Sequence, residues 1–382
     1  MTDAQDGRGG RGGPDGRYAE HGQRRERIRG CLIGGAIGDA LGWPVEFQRL
    51  DPILDANDQD GVTRLHLDRQ GLAEVTDDTQ MTLFTAEGLL LAKGAGPAEV
   101  TASVHAAYRR WLLTQWSDGP GSGPAPSDDE GRLLREPWLW ASRAPGNACI
   151  SGLTEYPNPV PPVAFGQPGP VNPHSKGCGT VMRSAPFGLL GLGPEAAFRL
   201  AADCAQLTHG HPTGYLAAGA FAAVVERLVA GVPPIEAVVD TMVQLAEHPG
   251  HEETFDALSR ALSLAEVDRQ EGTAGFASVE RVGLGWIAEE CLAIAVYCLL
   301  VVAPGPGSGD GSGPGSGPEG LRRALTLSVT HSGDSDSTGA VCGNLLGAAH
   351  GLDSLPEDWA HQVEGRTTLL DFADELDARA AR

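Results

Sequence analysis

Glycine recurs at every fourth position in two stretches near opposite ends of the chain, at Gly30, Gly34, Gly38 and Gly42, and again at Gly339, Gly343, Gly347 and Gly351. A four-residue interval places each set on one face of an α-helix. Glycine inside a helix costs about 1 kcal/mol relative to alanine, so two such rows need compensation. Close approach of helix backbones provides it, as small residues at this spacing do between membrane helices. The spacing predicts that each glycine face lies against another helix in a soluble core. The alternative is a chance product of a glycine-rich composition, 53 of 382 residues.

The rest of the chain keeps the same period. Ala/Leu-rich stretches with helical spacing run over 28–41, 81–93, 98–114, 194–206, 212–230, 234–248, 255–265, 285–302 and 337–350, and few segments alternate with period two. Proline and glycine punctuate the gaps, which predicts an all-α domain of many short and medium helices. Residues 1–23, rich in Arg and Gly with no apolar stretch, read as a disordered tail rather than a signal peptide. Gly/Ser/Pro-rich tracts at 117–130 and 304–319 read as flexible loops within one domain spanning 24–375. The longest apolar run, 291–303, is too short to cross a bilayer and fits a buried core helix. Seven cysteines without a CxxC pair point to a reducing cytoplasm and thiols packed as small apolar groups. Lys and Arg total 28 against 50 Asp and Glu, a formal charge of −22 that repels nucleic acid and anionic membranes. An anionic substrate must then be captured locally, and a monomer is expected.

Two acidic clusters stand where helices should begin: Thr76-Asp77-Asp78-Thr79 and Asp334-Ser335-Asp336-Ser337-Thr338. An acidic residue at such a place is ordinarily an N-cap, but one cap needs one side chain. Thr76 or Asp77 can serve the first helix, which leaves a neighbouring carboxylate unexplained. Four carboxylates flanked by hydroxyls form an oxygen-only ligand set suited to Mg²⁺ or Mn²⁺. Four ionised aspartates also balance two divalent cations, whereas without metal such a crowd could hardly stay deprotonated. The expectation is one dinuclear hydrolase centre.

Other segments add to this reading. His174-Ser175-Lys176-Gly177-Cys178-Gly179-Thr180 is a Gly-rich turn whose backbone N–H groups could cradle a diphosphate, although a plain turn is the commoner explanation of such a segment. His209-Gly210-His211 has no supporting histidine cluster, so capping of a helix from Pro212 fits better than zinc. The chain has no HExxH, no G-x-S-x-G elbow and no Walker signature.

With these segments placed, the chain resembles the ADP-ribosylglycohydrolase family. The resemblance rests on five ordered blocks: Gly30 to Gly42 with Pro44 and Glu46, Thr76 to Gln80, Gly177 to Arg183, Leu207-Thr208-His209-Gly210, and Gly333 to Ser337. It implies a compact multi-helix fold with a dinuclear Mg²⁺ or Mn²⁺ site between helix N-termini. Thr76, Asp77 and Asp78 would hold the two ions from one side, and Asp334, Asp336 and Ser337 from the other. Glu46 resembles the family's mobile active-site glutamate. The turn of Gly177, Cys178 and Gly179 would bind the diphosphate, with Ser175 and Lys176 beside it as further substrate-binding residues; His209 would lie near the ribose or its phosphate, and Asn147 resembles a family segment near the cleft. Ser332 and Ser337 depart from the Gly and Thr that the family often has at those places.

The implied reaction removes ADP-ribose from a modified protein side chain, arginine by preference, or from a small-molecule conjugate. The ions would hold a water of lowered pKa, with Asp78, Asp336 or Glu46 taking its proton. Serine or nucleobase linkages, a phosphoesterase and a non-catalytic crystallin-like relative are the alternatives.

Overall fold

The computed structural model describes residues 14–93, 96–117, 119, 131–302 and 317–380. Fifteen α-helices are found among them. They are α1 (Pro14–Gly42), α2 (Leu50–Ala56), α3 (Asp77–Leu91), α4 (Pro97–Thr114), α5 (Asn147–Glu155), α6 (Pro194–Ala205), α7 (Pro212–Val229) and α8 (Pro234–Leu245). The series continues with α9 (Glu252–Glu271), α10 (Phe276–Val282), α11 (Ala288–Val302), α12 (Pro318–Val329), α13 (Ser335–His350), α14 (Glu357–Gln362) and α15 (Arg366–Ala380). The described residues contain isolated β-bridges but no strand, as an all-α fold requires.

Local chemistry explains many of the boundaries. Proline opens α4, α6, α7, α8 and α12, where its missing N–H has no intrahelical partner to lose. Gly272 closes α9 in the left-handed conformation at φ 68°. The middle of the molecule is formed by α3, α7 and α11, which are buried almost all round. The apolar run expected at 291–303 falls on α11 as far as Val302, as a core helix, and among the described residues no helix is long and apolar enough to cross a membrane.

The most extensive helix pair is α1 with α13. They run antiparallel, and the two glycine rows form the seam between them. A Cβ placed on Gly34 would stand 2.2 Å from the Gly343 carbonyl oxygen, one on Gly38 1.9 Å from that of Gly339, and one on Gly42 2.2 Å from that of Ser335. No real Cβ tolerates such distances, so the composition-only alternative fails. The register carries the end of α1, and Glu46 just beyond it, onto the first turn of α13.

Three boundaries differ from the sequence reading. Helix α1 reaches back to Pro14, so 14–23 are helical where a tail was expected, because the helix that carries the glycine row continues N-terminally through a polar stretch; 1–13 lie outside the described residues. Pro318 and Glu319 open α12 rather than end a loop, Pro318 acting as a helix starter. The remainder of the two low-complexity tracts, apart from 117, 119 and 317, lies outside the described residues. Helix α15 runs through Glu375 to Ala380, and its buried Leu369, Phe372, Ala373 and Leu376 keep the helical interval that could have revealed it.

Candidate metal centre

The first turns of α3 and α13 meet at the end of α1. Asp39, fully buried on α1, accepts from the backbone N–H and hydroxyl of Thr76 (3.0 and 2.9 Å) and from those of Thr79 (3.1 and 2.5 Å). Thr76 in turn caps α3, its hydroxyl accepting from the Asp78 N–H at 3.3 Å. The cap is thus satisfied by one side chain, and Asp77 and Asp78 are left for other work. At α13 no side chain caps the helix. Asp334 instead accepts from the Cys178 thiol at 2.8 Å.

The clusters are 259 residues apart in sequence, counted from Asp78 to Ser337, and adjacent in space. The Ser337 hydroxyl donates to Asp78 Oδ1 at 3.3 Å. Ligand atoms of Glu46, Asp334 and Asp336 lie within 4.8 Å of one another. All of these groups, with Asp77, line one cleft of about 480 Å³. Asp77 Oδ2 also accepts from the Gly146 N–H at 3.2 Å, which fixes the Gly146–Asn147 corner at the start of α5.

Electrostatics press on this cluster. Burial first, and the neighbouring Asp336 second, push Asp77 and Asp78 well above the usual carboxylate range. Burial and Asp334 do the same to Asp336. Burial lifts Asp334 and Asp39 to about 6 and, with Asp336, Glu46 to about 9. The N-termini of α3 and α13 offset only part of this load. The buried Asp78 Oδ2 and Glu46 Oε2 have no protein donor among the described residues. Orphaned carboxylate oxygens amid an all-oxygen set are what a hard divalent cation would satisfy, so the residues fit Mg²⁺ or Mn²⁺.

The other expected residues divide. Ser175, Gly177, Cys178, Gly179, His209 and Asn147 all line the cleft. Lys176 does not. Its ammonium is held by Glu253 at 2.6 Å and Glu289 at 2.5 Å. Thr76 is fully buried outside the lining, with its hydroxyl committed to Asp39 and to the cap. Within the turn, the Cys178 N–H donates to the Trp286 carbonyl at 3.2 Å, so the diphosphate cradle expected there lacks that amide. His211 rather than His209 caps α7, its Nδ1 accepting from the Thr213 N–H at 3.2 Å. Cys178, half-buried where the other six cysteines are buried, packs against the core and also lines the cleft.

Two features escaped sequence reasoning. Asp39 was visible within the first block, but nothing local marks it as the anchor of α3. Phe47 and Trp286 stack at the cleft mouth, with centroids 5.3 Å apart, and Phe47 adopts φ 66°, a strained region for a bulky residue.

Comparison with known proteins agrees with this architecture. The sequence profile of the ADP-ribosylglycohydrolase family matches residues 20–382. "ADP-ribosylhydrolase ARH3" of Danio rerio is 27% identical over 92% of this chain and 89% of its own length. "ADP-ribosyl-[dinitrogen reductase] glycohydrolase" of Rhodospirillum rubrum is 23% identical, covering 89% of this chain and 90% of its own. "ADP-ribosylarginine hydrolase Tri1" of Pseudomonas putida is also 23% identical, over 94% of this chain and 80% of its own. A solved structure titled "ADP-ribosylglycohydrolase-related protein complex" shares the fold, with a TM-score of 0.59 at 23% identity, covering 94% of this chain and 99% of that one. With the family profile spanning nearly its whole length, this chain belongs to the ADP-ribosylglycohydrolase family.

Proposed function

We propose that this protein is a divalent-metal-dependent hydrolase that releases ADP-ribose from a modified arginine side chain. The observation that carries the reading is the convergence of Asp77, Asp78, Asp334, Asp336, Ser337 and Glu46 on one cleft that the Gly177–Gly179 turn and His209 also line. Bound there, two Mg²⁺ or Mn²⁺ ions would supply Lewis-acid polarisation and lower the pKa of an attacking water. Asp77, Asp78, Asp334, Asp336 and Ser337 are the residues to hold them.

Asp78 and Asp336 would then combine two tasks, and Glu46 would have one. Glu46, Asp78 and Asp336 are the candidate carboxylates to take a proton from the water that attacks the anomeric carbon and to return one to the leaving group. Gly177 and Gly179, having no side chains, let the ligand and the His209 ring approach the turn closely. Asn147 and Ser175 add polar contacts at the wall.

Arginine is favoured over serine by the mouth of the cleft. Cleavage sets free a planar cationic guanidinium, and it would leave past an acidic floor and the exposed rings of Phe47 and Trp286. The same reading takes an ADP-ribosylated protein or small conjugate as substrate and a monomeric, cytoplasmic enzyme.

The test is a panel of ADP-ribosyl-arginine and ADP-ribosyl-serine peptides with Mg²⁺, following free ADP-ribose. Turnover of the arginine peptide is expected, with Asp77→Asn and Asp336→Asn each reducing it by at least about 10²-fold. Full turnover by the Asp77→Asn/Asp336→Asn double variant would refute the site, and preference for the serine peptide would refute the arginine assignment.

A further inference from the structure

Arg183 lies fully buried beneath the cleft. Its guanidinium sits 4.4 Å from the Tyr108 ring centroid, donates to Cys149 Sγ at 3.3 Å, and donates to Thr208 Oγ1 at 2.6 Å. Arginine can only donate, so Thr208 Oγ1 accepts and must send its own proton elsewhere. Two acceptors are near: His209 Nδ1 at 2.8 Å and the Ala205 carbonyl at 3.5 Å. The shorter bond has good length and the longer is at the limit, so Nδ1 accepts. A neutral imidazole that accepts at Nδ1 carries its proton on Nε2.

The other edge of the ring faces the Gly-rich turn. A Cβ on Gly177 would stand 3.3 Å from His209 Nε2, and one on Gly179 3.2 Å from Cε1. No hydrogen bond among the described residues engages Nε2, although His209 lines the cleft. Burial, with the Arg183 charge as a second cause, holds the imidazole down to about 3, so the ring stays neutral.

We infer that Arg183 and Thr208 are positioning residues that lock His209 in its Nε2–H tautomer, presenting one N–H donor to a ligand oxygen seated above the Gly177–Gly179 turn. The identity of that ligand rests on the ADP-ribose reading. The tautomer does not.

Imidazole ¹⁵N NMR of the full-length, Mg²⁺-loaded protein reads the tautomer directly, with a bare Nδ1 and a protonated Nε2 expected for His209. A protonated Nδ1 would overturn the inference without any mutation. Thr208→Val keeps the side-chain shape and removes the hydroxyl; it is expected to weaken ADP-ribose binding in calorimetry about tenfold and to redistribute the proton between the two nitrogens. Thr208→Ser should restore both readouts to within about twofold. Wild-type affinity together with an unmixed Nε2–H tautomer in Thr208→Val would sink the positioning role. A wild-type protein that shows the Nε2–H tautomer yet ignores ADP-ribose would instead count against the substrate reading and support the lock.

Discussion

At the scale of single residues, the acidic groups in and behind the cleft are told apart by the donors the protein gives them. Asp39 receives four, Asp77 and Asp334 one each from Gly146 and Cys178, while Asp78 Oδ2 and Glu46 Oε2 receive none. Asp39 is therefore a structural anchor, whereas the others keep carboxylate oxygens that the protein leaves with one donor or none. Carboxyls whose folded pKa is raised bind more protons in the native than in the unfolded state. The stability they contribute is full below the unfolded carboxylate range near about pH 4 and is lost as pH rises through the folded values. Those are about 6 for Asp39 and Asp334 and about 9 for Glu46. In chelator, the melting temperature should thus fall between about pH 5 and 8, and Mg²⁺ should remove most of the slope. A flat profile in chelator would contradict the crowding described here. Asp78→Asn relieves part of that crowding, so its metal-free form should be more stable than wild type by roughly 1 kcal/mol while losing the response to Mg²⁺.

At the scale of elements, the α1–α13 seam sets the geometry of the cleft. Because Gly42 abuts Ser335, any widening of the seam moves Glu46 away from Asp334 and Asp336. Gly34→Ala adds a methyl group 2.2 Å from a backbone oxygen that cannot turn aside, and should cost about 3 kcal/mol in urea unfolding. Gly22→Ala, on the exposed part of the same helix with nothing within 4 Å, should stabilise by about 0.5–1 kcal/mol. Equal effects from the two would mean that helix propensity, not backbone contact, explains the row. The glycine row was legible because its period is intrinsic to the helix. Which helix it meets was not, since nothing in either row names its partner.

At the scale of the molecule, α15 fastens α1 to α3. Asp374 accepts from Arg25 at 3.0 and 2.7 Å and from Arg29 at 2.7 and 2.8 Å, and Asp377 pairs with Arg24, all on α1. Arg379 donates to the carbonyls of Leu90 and Ala92 at the end of α3. The helix that carries the glycine row and the helix that carries Asp77 and Asp78 are thus held by one C-terminal strap. Hydrogen bonds from Arg29 and Arg25 keep the Asp374 carboxyl well below the usual range, so its contribution is present above about pH 4 and lost as pH falls below it. Asp374→Asn should cost about 1 kcal/mol at neutral pH, a value already reduced for partial exposure, and the difference from wild type should shrink in acid. Unfolding curves whose separation is the same at both pH values would show that the pair's charge plays no part.

Patterns confined to one segment were decided by the sequence itself: helical period, proline starts, glycine rows, the two acid-rich first turns and the Gly-rich turn are properties of a few adjacent residues. Convergence was decided by the tertiary structure. Whether Asp77 meets Asp336, why Asp39 is spent on threonines, and why Lys176 turns to Glu253 and Glu289 instead of the cleft all depend on contacts between residues far apart in the chain. Such contacts form only when burial of the core brings the helices together, and a one-dimensional pattern records the faces that will be buried without recording what they will be buried against.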